Sequence, residues 1–305
     1  MKKRNLYLVS LFIFTAFFTA CDVQQTEQEP SATNELTIAE LEVSALKDLE
    51  SVDEEVNAAR FAGMLRGIHD PNFVVPRWHF GDNFPDCATV TVDRDSFPKT
   101  ITIVYEENCI TRRGVVKSGT IKITLSDSIN TPGSTYTVEY IDLMINRKKI
   151  NLTANYTYEG LNENENPVVS WESYSTVVMR DSIVMKRRFS HTKEWLDGFD
   201  TPYIDDDKFL LSGGGSVKIN NRYEFSRVIL EPLFFDRACR FILSGVIEIT
   251  RNGESMIIDF GDGECDNIAT VTKDGETLEI ELISERIREN INRRERNLKQ
   301  ENGWW

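Results

Sequence analysis

The fold is decided by residues 244–282, which read SGVIEITRNGESMIIDFGDGECDNIATVTKDGETLEIEL. Apolar and polar side chains alternate along this stretch with a period of two, which is the pattern of a half-buried β-strand. Asn252-Gly253 and Asp274-Gly275 interrupt the alternation, and such pairs favour the type I′ turns that join adjacent antiparallel strands. The first of these turns predicts that Ile249 faces Met256 across a hairpin.

The same alternation reaches back to about residue 87, with further turn residues at Asn146-Arg147, Asp181-Ser182 and Asn220-Asn221. No helix-length segment interrupts it, so consecutive strands are expected to pair with each other. The pattern predicts an all-β domain over residues 69–283, built as an antiparallel meander of roughly ten to thirteen strands. Sheets of that width usually curl, and a half-barrel, a barrel and a sandwich are all compatible with the pattern.

The turn at Asn146-Arg147 also predicts a register for its two flanking strands. Counting outward from the turn, Leu143 is expected to face Ile150, and Ile141 is expected to face Leu152. All four side chains are apolar, so this register would place them together on one buried face.

The chain begins MKKRNLYLVSLFIFTAFFTAC. A basic head precedes an apolar run over residues 6–18, which is too short for a membrane span but suits a secretory signal. Residues 18–21 (FTAC) resemble the lipobox of bacterial lipoproteins, with Phe18 in place of the usual leucine. The resemblance implies a signal peptide over residues 1–20 and an acyl lipid such as palmitate on Cys21. An ordinary cleaved signal followed by a chance cysteine is the alternative.

Three further segments flank the β domain. Residues 21–34 are polar and predict a flexible tether. Residues 35–68 predict an amphipathic helix, because Thr37 and Glu40 form a capping box and apolar residues then recur at helical spacing. Residues 284–305 predict a charged helix that ends in Trp304-Trp305, solvated rather than lying on a membrane surface. We expect the protein to lie in the cell envelope, where its lipid holds it to a membrane. The outer membrane is favoured, and both its periplasmic face and its surface face are compatible with the sequence.

The charge of the chain limits its partners. It carries 35 basic and 49 acidic residues, a formal net charge of −14. Removing residues 1–20 takes away 3 of the 35 basic residues, which leaves 32 against 49 and a net charge of −17. Such a protein repels nucleic acid, and export separates it from the genome, so no nucleic-acid partner is expected.

Four cysteines remain once Cys21 is assigned to lipid: Cys87, Cys109, Cys239 and Cys265. An oxidising compartment favours two disulfides, with three connectivities available. Extending the hairpin of residues 244–262 outward puts Cys239 opposite Asp266, one residue past Cys265, and a bulge at Gly261-Asp262-Gly263 would remove this mismatch. Cys87 and Cys109 flank a similar strand pair. Local pairing of 87 with 109 and of 239 with 265 is the prediction, and a cross-link between the two ends of the meander is the alternative.

Several segments resemble a family of uncharacterised lipoproteins common in Bacteroidetes. These are CATVTVDRDSFPKTITIVYEENC (87–109), RRGVVKSGTIKITLSDSINTPGS (112–134), TKEWLDGFDTP (192–202) and the stretch from ACRFILSG to LEIEL (238–282). The resemblance covers nearly all of residues 87–282. It implies an envelope lipoprotein, and it carries no catalytic residue to this chain because the family has no known activity.

Residues that could carry chemistry are few. His69 and His79 lie ten positions apart in a proline-rich connector, where loop packing is favoured over zinc binding. His191 lies among basic residues, and no G-x-S-x-G motif is present. The acidic loop with Asp259, Asp262, Glu264 and Asp266 is a weak candidate for Ca²⁺, and Asp205-Asp206-Asp207 is better explained as a turn. We therefore predict no catalytic residue, no metal and no cofactor.

Ser128 and Ser182 lie in Asp-Ser-Ile triplets, which resemble the O-glycosylation sites of exported Bacteroidetes proteins. Asp-Ser pairs also form turns, so a glycosylation site and a simple turn are both compatible with these triplets.

These observations favour a non-catalytic envelope lipoprotein that acts as a binding or structural module. The candidate partners are an apolar ligand, a glycan or another envelope protein, since aromatic residues are frequent between Tyr136 and Phe235. The alternative is a hydrolase acting on envelope or surface glycans, which would need two carboxylates about 5 to 9 Å apart in a cleft.

Overall fold

The computed structural model describes residues 56, 73–74, 85–93, 96–111, 114–128, 130–179, 183–201, 206–239 and 241–282. The predicted signal peptide, the tether and the C-terminal extension lie outside these residues, as does the 35–68 helix apart from Val56. No helix among the described residues has the length and apolarity needed to cross a membrane.

The described residues form fourteen β-strands. In chain order the strands are β1 (Phe73–Val74), β2 (Ala88–Val92), β3 (Lys99–Ile110), β4 (Val116–Leu125), β5 (Thr135–Ile145), β6 (Lys148–Leu161), β7 (Pro167–Val178), β8 (Val184–Asp197), β9 (Lys208–Ile219), β10 (Tyr223–Asp236), β11 (Ser244–Arg251), β12 (Glu254–Asp262), β13 (Ile268–Lys273) and β14 (Glu276–Glu281).

Each strand pairs antiparallel with the next one along the chain, in a single sheet whose order runs from β1 to β14. The predicted all-β antiparallel meander is therefore confirmed. Strands β1 and β14 are the two edges of the described sheet. The described sheet is therefore open, and the closed barrel, one of the three shapes compatible with the sequence, is not formed. Because β1 has only two residues, the long strands number thirteen, the upper end of the expected range.

The hairpins predicted from Asn-Gly and Asp-Gly pairs are present. Asn252 and Gly253 have φ values of 53° and 86°, which are the left-handed values that a type I′ turn requires. Ile249 lies opposite Met256, as predicted. Local turn chemistry is therefore enough to set the register of this hairpin.

The predicted register between β5 and β6 is right near the turn and wrong beyond it. Leu143 lies opposite Ile150, but Leu152 lies opposite Tyr140 instead of Ile141. A bulge separates the two pairs, and Asp142 adopts a φ of 50° within it. The bulge turns Ile141 toward solvent, where its side chain is 48% exposed.

The sheet has one buried face and one solvated face, which we call the inner face and the outer face. Inner-face side chains from all the long strands join one hydrophobic cluster, in which Ile101, Ile121, Leu143 and Ile247 are fully buried. Val56 is helical, is 2% exposed and belongs to the same cluster. The alternation of apolar and polar residues in the sequence thus produces the two faces.

Both predicted disulfides are present. Cys87 is bonded to Cys109 with a Cα–Cα distance of 5.4 Å, and Cys239 is bonded to Cys265 with a distance of 5.9 Å. The alternative cross-link between the two ends of the meander is not formed.

The route to the second disulfide differs from the expected one. A bulge does occur in β12, but it places Ser244 opposite Asp262 and so moves the register away from Cys265. Cys239 reaches its partner because it lies in the turn after β10, where its N–H donates to the carbonyl of Asp236 at 2.8 Å.

Candidate functional site

An open groove of about 510 Å³ lies on the outer face, across the central strands β5 to β10. One row of the sheet crosses the groove, and each member lies opposite the next on the neighbouring strand. The row is Glu139, Thr153, Tyr174, Arg188 and Ser216. The strict alternation of the strands aims all five side chains to the same side of the sheet.

Tyr174 and Arg188 form the centre of the groove. The tyrosine side chain is 50% exposed, and the guanidinium carbon of Arg188 lies 5.1 Å from the centroid of its ring. Cation–π contact of this kind holds both groups in one geometry while leaving them accessible to a ligand. The arrangement presents an aromatic surface beside a planar array of hydrogen-bond donors.

A second row adds positive charge next to this pair. Lys186 on β8 lies opposite Lys218 on β9, and Lys218 lies opposite Glu224 on β10. The ammonium of Lys218 is 3.5 Å from a carboxylate oxygen of Glu224. With Arg188, the groove therefore concentrates three cations in a chain whose net charge is −14.

The two carboxylates of the groove are too far apart for glycoside hydrolysis. Glu139 is on β5 and Glu224 is on β10, so about five strand spacings of roughly 4.8 Å separate them along the sheet. Glycosidases place their two carboxyl groups about 5 to 9.5 Å apart. Each carboxylate is also engaged by a lysine, Glu139 by Lys122 at 3.7 Å and Glu224 by Lys218.

The inner face holds a second polar cluster, centred on His191 of β8. Its Nε2 lies 2.6 Å from a terminal nitrogen of Arg227 on β10. A guanidinium can only donate, so Nε2 is the acceptor and the neutral ring carries its proton on Nδ1. Burial first, and then the charges of Arg227, Arg187 and Lys193, hold the pKa of His191 well below 6.5.

Gly215 makes the contact between β8 and β10 possible. It lies opposite Phe189 on β8 and opposite Arg227 on β10, on the strand between them. Because glycine has no side chain, the Arg227 guanidinium crosses β9 and lies 4.0 Å from the centroid of the Phe189 ring. Arg227 is completely buried there.

Aromatic rings surround the neighbouring lysine. The Lys193 ammonium lies 4.4 Å from the centroid of the Phe209 ring and 4.8 Å from that of Trp195. Beside them is a cavity of about 30 Å³, lined in part by Trp171 and His191. A cavity of that volume holds at most a few water molecules, so it has no room for an acyl chain.

The weak calcium candidates do not form a site. Asp259 accepts a hydrogen bond from the N–H of Gly261, and Asp266 accepts one from the N–H of Ile268, both at 2.9 Å. Within the part of the chain that the structure describes, no three His, Cys, Asp or Glu side chains are grouped to hold a metal ion. The acidic residues of this loop, Asp262 and Glu264 included, are better explained by turn and bulge geometry.

The other candidate residues are scattered. Ser128 lies in the connection from β4 to β5, where its N–H bonds the side chain of Asp127 at 2.6 Å. Asp206 accepts a hydrogen bond from the hydroxyl of Thr201 at 2.9 Å, which fits the predicted turn. Five candidates lie outside the described residues: Cys21, His69, His79, Ser182 and Asp205.

The groove and the buried arginine were not predicted as sites from the sequence. Tyr174 is one of many aromatic residues between Tyr136 and Phe235, and most of the others, such as Tyr156 and Trp195, are buried on the inner face. A usable signal was the position of Tyr174 in the alternation of its strand. That position directs the side chain to the outer face, as does the position of Arg188 on the strand after the next turn. The run Gly213-Gly214-Gly215 inside a strand was a second signal, because glycine there marks a close approach by another group.

Comparison with protein families, with curated proteins and with solved structures found no match to this chain.

Proposed function

We propose that this chain is a lipid-anchored protein of the bacterial cell envelope that binds anionic carbohydrate through the outer-face groove. The observation that carries the proposal is the exposed ring of Tyr174 next to the Arg188 guanidinium at the centre of the groove. The chain acts in this account as a binding module without chemistry of its own.

The chemistry of the lining favours a sugar over an apolar ligand. Sugars present a weakly apolar ring face and a rim of hydroxyl groups, which match an aromatic ring bordered by hydroxyl and amide side chains. The groove supplies Tyr174 as the ring, and Asn151, Thr153, Thr176 and Ser216 as hydrogen-bonding neighbours. The described cavity on the inner face, at about 30 Å³, is too small for a lipid.

The charge of the lining favours an acidic sugar. Lys186, Arg188 and Lys218 converge on the groove, although the whole chain has a net charge of −14. Arginine in particular binds a carboxylate through two parallel hydrogen bonds. A local cationic patch also attracts an anionic polymer from solution in a way that salt weakens.

The sequence supports the location. The N-terminal 21 residues resemble a lipoprotein signal ending at Cys21, and residues 87–282 resemble lipoproteins of Bacteroidetes. Lipid on Cys21 and a tether over residues 22–34 would hold the sheet near the outer membrane, within reach of envelope or extracellular glycans. A half-barrel, with the inner face on its concave side, is the curvature that best suits one open sheet with one buried face.

The test is calorimetric titration of the mature, delipidated protein with two sets of oligosaccharides of equal length. One set consists of galacturonic acid and the other of neutral glucose. Binding of the acidic set alone, weakened by added salt, is expected. Binding of neither set would overturn the proposal, and equal binding of both would overturn its electrostatic part.

A further inference from the structure

We infer that the outer-face groove receives an acidic group at one place only, so that its ligand is an oligosaccharide with one acidic sugar at the end of a neutral chain. This inference rests on the proposed function and adds the order of the sugars to it. Its basis is the uneven distribution of charge along the groove. The three outer-face cations lie on two neighbouring strands, Lys186 and Arg188 on β8 and Lys218 on β9.

These three cations form one compact patch. Lys186 lies opposite Lys218 in the pairing of β8 with β9, and Arg188 follows two residues further along β8, opposite Ser216. Two residues along a strand measure roughly 7 Å, and one strand spacing measures roughly 5 Å. The patch therefore has about the dimensions of a single sugar that carries a carboxylate.

Uncharged side chains line the groove on the β7 side of this patch. Tyr174 lies opposite Arg188 and presents its ring, and Thr153 lies opposite Tyr174 and presents a hydroxyl group. Thr176 and Asn151 form a second facing pair on the same two strands. Such groups stack on sugar rings or form hydrogen bonds with sugar hydroxyls, and none of them carries a charge that would attract an anion.

A carboxylate lies at each end of the groove. Glu139 on β5 lies opposite Thr153, and Glu224 on β10 lies opposite Lys218. Their side chains are 44% and 61% exposed. An acidic sugar next to Glu139 would place two like charges side by side, which lowers affinity. The groove therefore discriminates against a chain that is acidic along its whole length.

Three trisaccharides test the inference in calorimetric titrations of the mature, delipidated protein. Xylotriose is neutral, trigalacturonic acid has a carboxylate on every sugar, and xylobiose extended by one terminal glucuronic acid has a single carboxylate. We expect the single-acid trisaccharide to bind at least as tightly as trigalacturonic acid, and xylotriose to bind about tenfold more weakly or less.

The possible failures of the two proposals are distinguishable in these titrations. Tighter binding of trigalacturonic acid than of the single-acid trisaccharide would overturn the inference and leave the proposed function standing. Binding of none of the three would overturn both.

Glu139→Gln separates the effect of charge from the effect of sugar identity, because it keeps the shape of the side chain and removes its charge. We expect this variant to bind trigalacturonic acid about threefold more tightly than the wild type does, with no change for the single-acid trisaccharide. The matched control is Glu248→Gln, since Glu248 is an outer-face carboxylate on β11, outside the groove. The control should leave both affinities unchanged. An unchanged affinity of Glu139→Gln for trigalacturonic acid would overturn the inference.

Discussion

The Nε2 atom of His191 on β8 lies 2.6 Å from a terminal nitrogen of Arg227 on β10. Strand β9 lies between these two strands in the sheet. The two side chains are 2% and 0% exposed. A buried arginine that donates to a neutral histidine ties β8 to β10 across β9. It also makes the protonation state of the histidine a condition for stability, because an imidazolium there would face a guanidinium.

The first prediction concerns pH. The folded chain holds the pKa of His191 well below 6.5, through burial and then the charges of Arg227, Arg187 and Lys193. As the pH falls below about 6.5, the unfolded chain therefore binds a proton that the folded chain does not bind. The free energy of unfolding should fall by up to about 1.4 kcal/mol per pH unit in this range.

His191→Gln keeps an acceptor for the arginine and removes the titration. Urea denaturation between pH 5 and pH 7 should show a smaller slope in this variant than in the wild type. The pKa values of Asp142 and Glu254 are lowered mainly by hydrogen bonds to Lys149 and Lys273, respectively. These two carboxylates affect the free energy of unfolding in a separate, more acidic pH range. Their contribution is lost only as the pH falls through the acidic range below about 4. An unchanged slope in His191→Gln would contradict the account of this pair.

The second prediction concerns Gly215. A β-carbon at this position would collide with the ring of Phe189 and with the carbonyl of Arg188. Gly215→Val should therefore destabilise the fold by about 3 kcal/mol or more. Ser212→Val adds the same side chain to the outer face of the same strand and should change stability by less than about 1 kcal/mol. Equal effects in chemical denaturation would mean that the empty inner position has no special role.

How much of the fold could be predicted from the sequence depends on how far apart along the chain the interacting residues lie. The Asn252-Gly253 turn fixes the pairing of Ile249 with Met256 because turn chemistry acts over a few residues. The predicted pairing of Ile141 with Leu152 is wrong because the bulge at Asp142 shifts the register of the two strands. No local sequence pattern indicates this bulge.

The candidate site was less accessible than the fold. The contact of His191 with Arg227 requires three strands to be aligned, and the groove requires six. Charge in the sequence is overwhelmingly acidic, and only the register brings Lys186, Arg188 and Lys218 to one place. Alternation shows that these side chains point outward but does not show which of them are neighbours.

The third prediction concerns the disulfides. The two bonds close segments of 22 and 26 residues, and loop entropy depends only weakly on length. Replacing either pair by serine should therefore lower the free energy of unfolding by a similar amount, about 3 kcal/mol for each bond. Urea denaturation of Cys87→Ser, Cys109→Ser and of Cys239→Ser, Cys265→Ser gives the comparison. A much larger effect of one pair would show that its role goes beyond closing a loop.

The fourth prediction concerns the anchor. Cys21→Ser should abolish metabolic labelling of the protein with palmitate and should move it from the membrane fraction to the soluble envelope fraction. Ala20→Ser changes the neighbouring small residue and should keep both properties. Labelling that persists in Cys21→Ser would contradict the assignment of that residue to lipid.

The fifth prediction concerns the groove, on which the proposed function depends. Tyr174→Ala removes the exposed ring beside Arg188. Tyr223→Ala is its control, because Tyr223 is also an exposed tyrosine on the sheet, with the guanidinium of Arg251 lying 5.0 Å from its ring centroid outside the groove. Both variants should remain folded, since neither tyrosine belongs to the core.

The most direct measurement is the dissociation constant of galacturonic acid oligosaccharides for these two variants and the wild type, by calorimetry at one ionic strength. The account predicts a loss of affinity of about tenfold or more in Tyr174→Ala, as expected for a contact of about 1.4 kcal/mol, and wild-type affinity in Tyr223→Ala. Equal affinity of both variants and the wild type would contradict the account, because binding would then not pass through the groove.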